Sequence, residues 1–87
     1  MFKAKVERSV HGGTQKIFEF ANGYGASVVS HNYSYGGISG LWELAVLDQD
    51  GDLVYDTPVT DDVLGYLSEE EVEKHLQAIA ALPKRAA

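Results

Sequence analysis

The stretch Asp48-Gln49-Asp50-Gly51-Asp52 sets carboxylates at alternate positions around a glycine, a spacing that can bend backbone around a hard divalent cation. A complete calcium loop also needs a bidentate glutamate at its twelfth position, and counting from Asp48 that position is Val59. The expectation is therefore an ordinary turn of aspartate and glycine, with no metal site. His11, His31 and His75 are the other candidate ligands or acid–base groups. They share no i, i+4 or HExxH spacing, so any joint chemistry depends on folding to bring them together. Gly37-Ile38-Ser39-Gly40 lacks the pattern of a nucleophile elbow. Neither Gly23-Tyr24-Gly25 nor Gly36-Gly37 opens a helix after a strand, as a phosphate cradle would. The residues point away from catalysis, and no cofactor is expected.

Two surfaces remain as candidates for binding. The segment His31-Asn32-Tyr33-Ser34-Tyr35-Gly36-Gly37-Ile38-Ser39-Gly40 has the composition of a protein-binding loop. Tyrosine offers large contact area with two side-chain torsions to freeze, while serine, asparagine and glycine adapt around it. Tyr33, Tyr35 and Ile38 are its candidate contacts, provided the loop does not fold them back as a cover over a sheet. The second surface is acidic: ten of the thirteen carboxylates lie in residues 48–73, which hold no lysine or arginine. Asp48, Asp50, Asp52, Asp56, Asp61, Asp62, Glu69, Glu70 and Glu73 are the candidate contacts there. Gathered on one face, they could imitate the charge of a nucleic acid or steer onto a basic protein. Turn aspartates and acids at helix starts account for much of the same clustering without a partner. With a net charge of −6, the chain is not expected to bind a phosphate backbone, which needs clustered lysine and arginine.

The elements that must position these residues change character along the chain. Residues 2–7 alternate apolar with charged, as a half-buried strand does, and His11-Gly12-Gly13 can adopt the positive φ of a turn. Residues 16–21 and 24–30 read as a hairpin around Asn22-Gly23, with a two-residue type I′ turn that would set Phe20 opposite Gly25 and Phe18 opposite Ser27. Residues 41–47, apolar at nearly every position, read as the middle strand of the sheet, covered on both faces. Leu53-Val54-Tyr55 reads as a short edge strand. Thr60-Asp61-Asp62 looks like a helix start, giving a short helix over 61–67 closed by Gly65. Ser68-Glu69-Glu70-Glu71 is a capping box opening a helix that Pro83 ends, with Val72, Leu76, Ile79 and Ala80 on its apolar face. The 87 residues then make one α+β domain over 1–83, an antiparallel meander of four or five strands with one C-terminal helix on one face, and a frayed tail at 84–87. The chain has no cysteine, so neither disulfides nor thiolate chemistry enter. No apolar run is long enough for a membrane span and no signal peptide is evident, which suggests a cytoplasmic protein.

Asn22-Gly23-Tyr24-Gly25-Ala26-Ser27-Val28-Val29, then Leu41-Trp42-Glu43-Leu44-Ala45-Val46-Leu47, then the run from Tyr55-Asp56-Thr57-Pro58 through Val63-Leu64-Gly65-Tyr66-Leu67 resemble small uncharacterised accessory proteins of tailed bacteriophages. The resemblance extends over residues 16–82 and carries no catalytic or ligand motif. It implies a small acidic protein in the host cytoplasm that binds a host protein, a defence nuclease or polymerase for example, and inhibits or modulates it. The alternatives are a homo-oligomeric accessory module, a homodimer in its simplest form, and a small enzyme with a pocket under residues 31–40.

Overall fold

The computed structural model describes residues 2–34, 37–54, 57 and 63–84, with Ile38 described in its backbone only. Tyr35, Asp56, Asp61, Asp62 and the Ile38 side chain, all candidate contacts, lie outside the described residues, as does the proposed helix start at 60–62. Five strands form one antiparallel meander in sequence order: β1 Val6–Val10, β2 Gly13–Glu19, β3 Gly25–Ser30, β4 Trp42–Leu47 and β5 Leu64–Leu67. A 3-10 turn, Gly37–Ser39, interrupts the β3–β4 connection, and one helix, α1 Glu69–Ala80, follows β5 and contacts β3, β4 and β5. The architecture is α+β. No described helix is long and apolar enough to cross a membrane.

Register decides which side chains meet α1. Phe18, Ala26 and Val46 form one cross-strand row, and Lys16, Val28 and Leu44 the next. With Val54, Leu67, Val72, Leu76 and Ile79 their apolar members build a single core on the helix side. The opposite face carries the alternate row of Val6, Ile17, Ser27 and Ala45. In β4, Leu44, Ala45, Val46 and Leu47 are all buried, so this strand is covered on both faces as its composition suggested. It is the fourth strand, however, and the middle one is β3.

Four local expectations are corrected. The first is the turn around Asn22. Gly23 takes φ 86° while Asn22 is not in the left-handed region. Phe20 and Tyr24 are joined by the Phe20 N–H to the Tyr24 carbonyl (2.8 Å) and close a three-residue loop. The register therefore shifts by one, setting Phe18 opposite Ala26 and Glu19 opposite Gly25. Asn22 is taken up elsewhere: its Nδ2 donates to the carbonyls of Ile79 (2.8 Å), Leu82 (3.1 Å) and Ala80 (3.3 Å), and its Oδ1 accepts from Tyr24 N–H (3.1 Å). One side chain thus bonds the last two carbonyls of α1 and that of Leu82 just beyond it, and ties the helix to the hairpin. The two-residue turn with positive φ at both centres occurs instead at His11 (φ 45°) and Gly12 (φ 79°).

The second correction concerns residues 64–67, which are a strand rather than a helix. Leu64 and Leu67 are spaced i, i+3, which imitates a helical face; here Leu67 pairs with Trp42 and Leu64 with Leu44 across a bulge, with Tyr66 at φ 57°. The irregularity lets both leucines face the core, which a regular strand would forbid. The third concerns Leu53 and Val54. They do not form an edge strand; Leu53 makes one isolated bridge to Leu47, and the Val54 N–H donates to the Val46 carbonyl (2.8 Å) as its side chain enters the core. The second edge of β4 is thus shared between β5 and this bridge. At the N-terminus the alternation of residues 2–7 also breaks, since Phe2 and Ala4 pack on the core while Val6 is exposed.

The capping box is present in both directions. Ser68 N–H donates to Glu71 Oε1 (3.0 Å), and Glu71 N–H donates to Ser68 Oγ (3.2 Å). The backbone N–H of Ser68, then its hydroxyl, hold the Glu71 carboxyl below the usual glutamate range. A depressed folded value means the carboxylate's stabilising contribution is complete above the unfolded value and is lost as pH falls through the folded one. Glu71→Gln can still accept the Ser68 N–H but does not titrate. The melting temperature of this variant should therefore fall less steeply than that of the parent between neutral and strongly acidic pH; parallel curves would contradict the cap's titration.

Candidate functional site

The β-meander brings three rings together at one end. The β1–β2 turn and the exit of β3 are adjacent because Thr14 pairs with Ser30, and the Asn32 N–H donates to the His11 carbonyl (3.2 Å). The His11 ring then stands 5.2 Å from both the His31 and the Tyr33 rings, edge to face in each case. His31 and Tyr33 are 6.4 Å apart. Tyr33 N–H donates to His31 Nδ1 (3.0 Å), and His31 N–H donates to Ser34 Oγ (2.9 Å). Tyr33 itself is 80% exposed. The loop therefore holds this tyrosine on two imidazoles and presents it to solvent, rather than folding it over the sheet. His11 occupies a left-handed conformation that an L side chain adopts at some cost, and its ring completes the cluster.

The described carboxylates fall into separate groups. Asp48, Asp50 and Asp52 lie in the turn after β4, where Asp48 Oδ1 accepts the N–H groups of Asp50 (2.9 Å) and Asp52 (3.0 Å). Asp48 and Asp50 border a depression of about 230 Å³ on the face away from α1, with Val6, Ile17 and Leu47. Glu69, Glu70 and Glu73 border a different cleft, of about 410 Å³, between the first turns of α1 and the sheet. Leu67 pairs with Trp42 at the start of β4, whereas Asp48 follows its end, so the two groups are separated by the length of a six-residue strand, about 20 Å. Folding brings Glu69, Glu70 and Glu73 together and keeps the turn aspartates away from them.

The floor of the larger cleft includes Phe18, Val28, Trp42 and Leu76, and Lys16 stands on its strand wall. The Lys16 Nζ lies 5.2 Å from the centroid of the Trp42 ring, in range of a cation–π contact. Sequence reasoning raised His11 and His31 only as candidate metal ligands or acid–base groups, not as supports for Tyr33, and did not single out Lys16 or Trp42 as members of sites. The pairing of the first two was signalled by the meander itself, which places the first turn and the third strand's exit at the same end. Lys16 and Trp42 come together only once the register is known.

No protein-family model matches the chain. No match was found among curated proteins or among solved structures.

Proposed function

We propose that this protein is a recognition module that binds another protein through the aromatic end of its sheet, and that its partner is a protein of a bacteriophage's host, whose action it inhibits or modulates. The observation that carries the binding reading is Tyr33: an exposed ring, ordered by His11 and His31, is an anchor that loses little freedom when it docks. The presence of a histidine at the left-handed position 11 supports the same reading, since glycine would fit that turn with less strain. The host partner rests on the resemblance to phage accessory proteins. Self-pairing of the β1 edge is less well supported, because an antiparallel copy centred on Arg8 would set like charges opposite one another.

The test is affinity capture from a bacterial host lysate with three forms of the protein in parallel. The parent and Leu53→Ala, which trims an exposed leucine remote from the aromatic end, should retain the same protein; Tyr33→Ala should lose it. Equal retention by all three variants would remove the aromatic end from the function.

A further inference from the structure

The cleft beside α1 lies outside the aromatic cluster, and its two kinds of lining select a class of ligand. Its volume of about 410 Å³ is at the small end for ligand pockets, enough for a side chain or two of a peptide. The floor, which includes Phe18, Val28, Trp42 and Leu76, offers apolar contact. The helix wall carries Glu69 and Glu70, both exposed, and Glu73. Among the described lining residues, Glu69 and Glu70 face one cation, Lys16, whose ammonium lies over Trp42 and whose cross-strand neighbour is Glu7. The charge left at the rim is negative. An anion seeking the N-terminus of α1 would meet Glu69, Glu70 and Glu71 in its first turn, and would find the Glu71 N–H already donated to Ser68 Oγ.

We propose that this cleft binds a basic, apolar peptide segment, seating an apolar side chain on the Phe18–Trp42 floor and a lysine or arginine against Glu69 and Glu70. Apolar burial supplies contact and the carboxylates supply the sign preference, which is how charge near an apolar patch selects a partner without needing a buried ion pair. The site does not depend on Tyr33, so it stands or falls separately from the aromatic end.

Trp42 is the single tryptophan of the chain and borders the cleft, so its fluorescence reports occupancy directly. The probes are N-acetyl-Leu-Lys-Leu-amide and its sign-reversed counterpart N-acetyl-Leu-Glu-Leu-amide. The lysine peptide should give a saturable change with a dissociation constant of about 1 mM, and the glutamate peptide should bind at least about tenfold more weakly. The double variant Glu69→Gln/Glu70→Gln should weaken the lysine peptide at least about threefold, as should a rise in ionic strength to about 0.5 M. Far-UV circular dichroism of the double variant checks that α1 persists, and Tyr33→Ala should leave the titration unchanged. Lack of saturation up to about 20 mM peptide, equal affinity for the two peptides, or indifference to the double substitution would each overturn the proposal.

Discussion

Leu44→Ala should lower the unfolding free energy by about 3 to 4 kcal/mol, a large part of the roughly 5 to 15 kcal/mol that holds a domain together. Leu44 is fully buried on the helix side of β4. Val28 lies opposite it on β3 and Leu64 opposite it on β5, and both neighbours are fixed by backbone pairing, so the space the lost isopropyl group leaves cannot close by a side-chain shift alone. The loss therefore includes a cavity as well as the transfer of three carbons. Val6→Ala makes the contrasting case. Val6 is on the first strand and 43% exposed, and its truncation should cost less than about 1 kcal/mol. Urea unfolding of both variants measures the difference, and equal midpoints would show that the core is not centred on the β4 row.

Gly13→Ala should be at least as damaging, and its damage reaches the aromatic end. A Cβ at Gly13 would collide with the Ser30 carbonyl oxygen and come within 2.6 Å of His31 Cα. Both obstacles are backbone, which cannot rotate away as a side chain can. Relief requires β2 and the exit of β3 to separate, which breaks the Thr14–Ser30 pair and the bond from Asn32 N–H to the His11 carbonyl. The expected cost is above about 3 kcal/mol, the range of severe steric substitutions. If the variant still folds, amide exchange at Asn32 should accelerate far more than at Val46 in the core. Parent-like stability with Asn32 still protected would mean that the close approach at Gly13 is not needed to set His31 beside His11.

The parts of the fold that were legible in the sequence are those fixed by local chemistry. Ser68 and Glu71 mark the start of α1 because each satisfies the other's backbone N–H, and Val72, Leu76 and Ile79 mark its buried face by their spacing alone. Residues 41–47 announced a doubly covered strand by composition. What escaped depended on distant partners. Asn22 looked like a turn residue because its attachment to the last carbonyls of α1 spans 57 residues of chain, and with that attachment the turn and the register both change. Residues 64–67 looked helical on the strength of Thr60, Asp61, Asp62 and Gly65, local signals that carry no information about the pairing of Leu64 and Leu67 with β4. At the candidate site, the exposure of Tyr33 was anticipated as one of two outcomes. Its support by His11 and His31 was not, since nothing at residue 11 or 31 alone indicates a shared cluster. The acidic run 48–73 looked continuous in the sequence, yet Asp48 to Asp52 and Glu69 to Glu73 sit at opposite ends of β4 because strand and helix directions, not sequence proximity, decide where charges meet.

The central claim is that an ordered aromatic end, and not a continuous acidic face, meets the protein partner. It is tested most directly by measuring the affinity of the captured partner for the parent, for Tyr33→Ala and for the triple variant Asp48→Asn/Asp50→Asn/Asp52→Asn. A buried aromatic anchor accounts for about 2 kcal/mol or more, so Tyr33→Ala should weaken binding by about 30-fold, while the triple variant, altering charges at the far end of the sheet, should change it by less than about twofold. The reverse pattern, a Tyr33→Ala affinity equal to the parent's and a large loss in the triple variant, would contradict the account.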